Sequence, residues 1–476
     1  METSFLNVLP IIVAAVLTII TKETLVSLFA GIVLGNIILC GGNVFSAFIK
    51  SMTDIMTQVR GNAEVIAFSF LAGALVILLQ SSGGVKGVVY SLTEKTSIIK
   101  NKRDVLFLSY IIGTLLFFES SINILVSGTV AKAFSEKYRI PSEEISYESA
   151  SVCTSACGLF PFNGWGATLI GIIGVQVAAG TLAGNPSEIL IKSIPFNFYP
   201  LVTLAALFFY IFTGKHWGLM KKAKERAEKT GNLVREGGKP LIDVNENGDI
   251  IKKRIKPDFL NMLLPLLVVI LMMPVGLYIT GGGNMIQGSG SVSVYWAVAA
   301  SLLFSAFYYI AVKRIMSGRE FMSLFYRGTA NMVSVVILLA MSFTIGSVAT
   351  ELNIGEYFAG IIDGRLSQMF EPAVIFVMSA VISLATGTSW GTFALMMPVS
   401  LQMSSVTGSS TVLAVSSVIS GALMGGTCSP VSDISVLSSM AAGADHIDHI
   451  RTQLSYALLN GAVSLVLFII AGYILN

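Results

Sequence analysis

Charge is what this chain lacks most. Only 12% of its 476 residues are Asp, Glu, Lys or Arg, about half the share in ordinary soluble domains. A net charge of +3 gives no basis for nucleic-acid binding. Histidine occurs three times and cysteine four times. Cys40, Cys153, Cys157 and Cys428 all lie in apolar or near-apolar stretches and read as small buried thiols. Cys153 and Cys157 share a helix face, but no second pair completes a zinc site. No glycine-rich loop ends in Lys-Ser or Lys-Thr, so ATP is not the expected energy source. No histidine accompanies serine within the apolar runs, and no enzyme signature emerges. No repeated filter-like motif or ring of charge points to a channel. Met1–Asn7 has no basic start, so the first apolar run reads as a retained span.

What is there is hydrocarbon. Hydrophobic residues make up 54% of the chain, and the mean hydropathy is +0.78. A spanning helix needs about 20 largely apolar residues, and roughly eleven to thirteen candidate runs are found by that standard. They include 8–20, 24–40, 64–80, 104–130, 196–214, 258–280, 293–312, 328–349, 372–387, 411–425 and 455–475, with an interrupted stretch over 148–181. Lys22 and Glu23 mark a tight turn between the first two. These features predict an all-α polytopic membrane protein inserted in a lipid bilayer.

Lys215–Lys256 is the one strongly hydrophilic region. Gly218–Glu228 within it reads as a surface helix and Gly237–Asp249 as turn sequence. The positive-inside tendency puts this loop, and the basic segments Lys86–Arg103 and Lys313–Arg327, in the cytoplasm of an inner-membrane protein. The loop divides the chain into a first transmembrane repeat (1–214), a cytoplasmic linker (215–256) and a second transmembrane repeat (257–476). Sliding the chain on itself by about 270 positions aligns Gly84 with Gly355, Glu119-Ser120-Ser121 with Trp390-Gly391-Thr392, and Cys157 with Cys428. Each half carries two polar-interrupted helices, around Glu119 and then Gly158–Trp165, and around Ser389 and then Thr427–Asp433. Two inverted-topology repeats with discontinuous transmembrane helices produce this pattern, with the cargo near mid-membrane.

The interruptions carry the chemistry. Irregular backbone inside a membrane persists only against protein or beside a wet cavity. One reads Thr388-Ser389-Trp390-Gly391-Thr392 and another Asn163-Gly164-Trp165-Gly166-Ala167. Ionisable groups within a span cost about 2.5–3.5 kcal/mol on insertion scales and are functional by default. Glu119, followed by Ser120, Ser121 and Asn123, and Asp433, in Cys428-Ser429-Pro430-Val431-Ser432-Asp433, are the candidate ion-linked acids. Asp433 also fits the first turn of a helix, and Glu64 is read as a structural first-turn acid. A shielded carboxylate can exchange a proton or accept Na⁺, with hydroxyls and freed carbonyls completing the coordination. The hydroxyl pool is Ser120, Ser121, Thr388, Ser389, Thr392, Thr427, Ser429 and Ser432, and Asn123 and Asn163 are amide ligands. No cofactor is required beyond Na⁺ or H⁺ as coupling ion. The same helix termini could instead receive the carboxylate of an organic solute. A last cluster, Asp445, His446, Asp448, His449 and Arg451, reads as a charge-paired gate or structural turn rather than a metal site. A homodimer is compatible with the sequence, but no interface is specified.

At these residues the chain resembles the NhaC-type Na⁺/H⁺ antiporter family of the wider ion-transporter superfamily. The match is strongest over Leu384–Leu458, in Thr386 through Thr392, in Ser420-Gly421, in Cys428 through Asp433, and in Asp445-His446-Ile447-Asp448-His449-Ile450-Arg451. Leu79 through Gly84 and Asn163 through Ala167 fit more loosely. The resemblance implies a secondary transporter driven by a sodium or proton gradient. Two departures matter. Family members that exchange sodium for protons are similar in carrying two adjacent aspartates after a Phe-Phe pair, where this chain has Glu119-Ser120. They also carry Asp-His before Cys-Ser-Pro, where this chain has Gly426-Thr427. Fewer central carboxylates favour coupled movement of an amino acid or organic carboxylate, a cargo class the wider family includes.

Overall fold

A computed structural model describes residues 5–21, 23–94, 99–117, 119–161, 163–240, 255–285, 288–353 and 368–475. Lys22, Phe118, Gly355 and most of the Gly237–Asp249 turn sequence lie outside the described residues. The described chain is helical throughout, apart from one isolated bridge between Pro240 and Asp445. Eight helices are long and apolar enough to cross a membrane, and the bent pair Ser142–Leu159 and Gly164–Ala178 makes a ninth. Their outward side chains include Leu271, Ile279, Leu303, Phe307, Val466 and Ile470. An apolar belt of this extent is a solvent mismatch in water and a match in lipid. The protein is therefore an all-α, multi-pass membrane protein.

Fewer described helices meet the spanning standard than the sequence suggests, in part because the run around Glu119 is split into two short arms. The run around Glu119 folds back as a hairpin of Lys102–Leu115 and Ser120–Ala133. Asn123 Nδ2 donates to Gly113 O at 2.6 Å, and Ser109 Oγ to Ser127 O at 3.1 Å. Fourteen helical residues reach about 21 Å, short of a hydrocarbon core of about 30 Å. The run around Thr388 also folds back, as Glu371–Thr386 and Ser389–Thr407. There the buried Glu371 carboxylate at the open end accepts from Thr407 Oγ1 (2.8 Å) and Ser409 Oγ (2.7 Å).

Each hairpin is followed by a broken helix. In the first half, Ser142–Leu159 meets Gly164–Ala178 at a 41° bend. In the second, Thr411–Cys428 gives way at Ser429 to Asp433–Ala442. The upstream arms are both eighteen residues long, and Ala63–Ser81 and Val333–Glu351 are both nineteen and begin 270 positions apart. The broken helices run in opposite directions. Ser142 starts the first beside the linker, its N–H on Leu233 O at 3.1 Å. The second starts near Ser193, through Ser416 Oγ on Ser193 O, and ends beside the linker, where Asp445 receives Lys239 N–H at 2.8 Å.

Close packing at the centre depends on small residues. A Cβ on Gly421 or Gly425 would lie 2.3 and 2.2 Å from the carbonyls of Phe376 and Ala380, so the second hairpin and its broken helix meet nearly backbone to backbone.

Candidate functional site

All four interruptions lead into a helix N-terminus, and three of these are capped by the residue the sequence marks. Glu119 Oε2 accepts from Ile122 N–H at 2.7 Å, Asn163 Oδ1 from Gly166 N–H at 2.9 Å, and Thr388 Oγ1 from Gly391 N–H at 3.4 Å. Ser432 stands at the fourth start, its buried hydroxyl without a hydrogen-bond partner among the described residues. The orphan N–H groups of a first turn account for this choice of side chains.

The breaks touch one another. The Trp165 and Trp390 rings lie edge to face with centroids 6.5 Å apart. Asn163 Nδ2 donates to the carbonyls of Phe117 (3.2 Å), Cys157 (2.8 Å) and Phe160 (2.8 Å), tying the first hairpin tip to the break in the next helix. The thiols of Cys153 and Cys157 reach Ser120 O and Phe117 O at 3.3 Å each. These two cysteines are buried, as the sequence implies, but they also hold the hairpin tip. Gly387 turns the second tip with φ +71°, where a Cβ would lie 2.7 Å from Val431 of the other break. Only glycine enters that conformation without strain.

A cavity opens between these tips. Glu119, Ser120, Asn163, Gly164, Trp165 and Trp390 line it, all marked from sequence. Phe68, Ala72, Val76, Met332 and Val335 complete an apolar wall. Sequence reading missed these five, four of which sit on the uninterrupted apolar helices Ala63–Ser81 and Val333–Glu351 and one, Met332, at the junction before the second; they differ from ordinary core residues only in position.

Several expected site residues lie elsewhere. Asn123 is buried in the hairpin seam, held by Gly113 O, and does not line the cavity. Ser121 sits beside Glu119 in the first turn. Ser389 Oγ bonds Ala422 O, Thr392 Oγ1 its own Thr388 O, and Thr427 Oγ1 Leu423 O. Ser429 Oγ accepts from Val431 N–H. Thr392 and Thr427 donate to a carbonyl one helical turn back, and Ser389 to one on the neighbouring helix. Asp433 is exposed, outside the cavity lining, with Oδ1 on Ile434 N–H at 2.8 Å. It caps the start of its own helix while staying in electrostatic range of Glu119. Glu119 therefore lines the cavity, while Asp433 stands near it outside the lining.

The 445–451 cluster is a turn tied to its surroundings. Asp445 receives Lys239 N–H and Asp448 N–H, and Asp448 pairs with Arg235 at 2.8 Å. His446 bridges Pro430 O (2.7 Å) and Ser439 Oγ (3.1 Å), linking the turn to the second break. His449 is buried against Ser438 Oγ at 3.2 Å, and Arg451 is exposed.

Comparison with known proteins places this arrangement. An uncharacterized protein of Haemophilus influenzae is 26% identical over 99% of this chain and 92% of its own length. The malate-2H⁺/Na⁺-lactate antiporter of Bacillus subtilis is 30% identical over 97 residues, 20% of this chain and 21% of that one. Two solved structures share the fold. MtrF of Neisseria gonorrhoeae, from a class of antimetabolite efflux pumps, has a TM-score of 0.55 at 13% identity, over 90% of this chain and 85% of that one. The YdaH transporter of Alcanivorax borkumensis, described as having an unusual topology, has a TM-score of 0.58 at 14% identity, over 89% and 88%. The profile of the Na⁺/H⁺ antiporter family matches residues 156–473, and with both hairpin tips and the first break meeting at one cavity, this chain belongs to that family of secondary transporters.

Proposed function

We propose that the protein carries a small organic solute, an amino acid or organic carboxylate, across the inner membrane, driven by a sodium or proton gradient. The carrying observation is the cavity wall. Phe68, Val76, Trp165, Met332, Val335 and Trp390 dominate it, with Glu119, Ser69, Ser120 and Asn163 as its polar points. Apolar walls with few placed polar groups suit a small organic molecule, whereas Na⁺ alone needs a shell of oxygens. Glu119 is the ion-linked residue on this reading, and the capped N-termini around it suit a carboxylate. The antiparallel broken helices and matched helix lengths support two inverted repeats about this centre, with the 215–256 linker cytoplasmic. Pure Na⁺/H⁺ exchange is the second reading, favoured by the family's description. The short match to a malate-2H⁺/Na⁺-lactate antiporter supports an organic cargo.

A thermal-shift screen of amino acids and organic acids, with and without sodium, tests this. A ligand bound only by the native state raises apparent stability, so a solute that stabilises the protein is the expected result, and its dependence on sodium identifies the ion. Absence of any such solute, together with sodium-dependent collapse of a pH gradient in proteoliposomes, would leave simple exchange in its place.

A further inference from the structure

The helix Ser142–Leu159 is buried along nearly its whole length yet carries three glutamates, two of which have strong partners. Glu143 takes both ends of the Arg226 fork, at 3.1 and 2.9 Å. Glu144 places one oxygen on Lys102 Nζ at 2.7 Å and the other on His216 Nε2 at 3.1 Å. Glu148, one turn further in, is 2% exposed, and among the described residues neither of its oxygens has a hydrogen-bond partner. Buried polar atoms are paired in the great majority of cases, so each exception calls for a reason. A carboxylate there has to be met by a proton or a cation.

Geometry favours the proton. Glu144 and Lys102, of opposite charge, both lie in electrostatic range of Glu148, so the choice rests on space. The hairpin arm is packed tightly on this helix, since a Cβ on Gly113 would come 2.5 Å from Val152. Ser109 and Tyr110 of that arm also lie in range of Glu148. The other titratable groups on the helix's neighbours are engaged elsewhere. Tyr210 and Tyr456 pack in an aromatic cluster with Tyr147, which also lies in range of Tyr199, while His449 holds Ser438.

Glu144, Glu148, Ser151 and Ser155 are spaced by four, three and four residues, which puts them on one helical face. The Ser151 and Ser155 hydroxyls are buried and also without partners among the described residues. At about 1.5 Å per residue this stripe is about 16 Å long. It starts at the linker and lies on the face opposite Cys153 and Cys157, whose thiols hold the first hairpin tip.

We propose that Glu148 is a proton-carrying site of the transport cycle, loaded from the linker face past His216 and Glu144. This rests on the carrier reading above and assigns its coupling ion. The test uses the full chain in proteoliposomes with a radiolabelled mixture of amino acids, malate and lactate. Glu148→Gln should retain exchange of labelled for unlabelled solute and lose at least ten-fold of the accumulation driven by a pH gradient. Accumulation within two-fold of wild type would overturn the proposal and leave the carrier reading standing. If exchange is missing from wild type or variant, infrared titration of the purified proteins decides. A carboxyl band present in wild type and absent from Glu148→Gln supports the site, and its persistence in the variant overturns it. Absence of exchange from wild type alone removes the organic-cargo reading.

Discussion

Glu119 does two things with one carboxylate. It caps the helix that follows it and faces the cavity where the hairpin tip meets Asn163 and the two tryptophans. Glu119→Gln keeps a capping oxygen but removes the charge, so ion-driven uptake should fall at least ten-fold while the fold persists, read by transport alongside a melting curve. Trp390→Ala opens the cavity wall and removes the edge-to-face contact with Trp165, and should weaken solute binding about ten-fold, measured by ligand-induced thermal shift. Asp445 makes a prediction in pH. Partial burial pushes its carboxyl upward, but the N–H groups of Lys239, Asp448 and Ile447 and the Arg235 charge outweigh that and hold it below the usual carboxylate range. The stabilisation is therefore full above the unfolded value of about 3.9 and is lost as pH falls through the folded one. Segment 231–240 should become protease-sensitive only in acid, and Asp445→Asn should make it so at neutral pH. At this scale the sequence was informative where chemistry is local. Glu119, Asn163 and Thr388 stand out as local polarity, but their helix-capping roles are not distinguishable there from ligand roles. Nor are the bonds of Ser389, Thr392 and Thr427, because a hydroxyl bonded to a nearby carbonyl and one aimed at a cargo have the same letters.

At the scale of elements, the decisive difference is between a broken span and a hairpin. Both look like an apolar run with a polar interruption. The run around Glu119 folds back because each arm is too short to cross and because Asn123 can reach Gly113 O once it does. The arrangement depends on glycine where helices cross. Gly425→Val would push methyl groups into Ala380 O, a backbone atom that cannot yield as a side chain would. Overpacking of this kind costs about 1–3 kcal/mol. A lowered melting temperature and loss of transport are expected, whereas Gly180→Ala, with nothing within 4 Å and only a positive φ against it, should cost about 1 kcal/mol.

For the whole molecule, the linker is part of the transport unit. Arg226 holds the start of the first broken helix, while Arg235 and Lys239 hold the turn after the second. Both broken helices are thus fastened to one face although they run in opposite directions. Arg226→Ala would leave Glu143 buried and unpaired, and truncating one partner of such a pair costs about 3–5 kcal/mol. Transport should fall together with thermal stability, whereas Lys221→Ala, on an exposed pair, should change neither.

Composition and hydropathy by themselves determined a polytopic helical protein, its hydrophilic linker and the residues at its interruptions, because lipid admits few backbone solutions and an interruption is visible as local polarity. The tertiary structure alone decided which interruptions are hairpin tips, that Asp433 lies outside the cavity lining, that Phe68 and Met332 wall the cavity, and that Glu148 has no hydrogen-bond partner among the described residues. Those outcomes depend on which distant helix lies alongside, and no single stretch of sequence carries that contact.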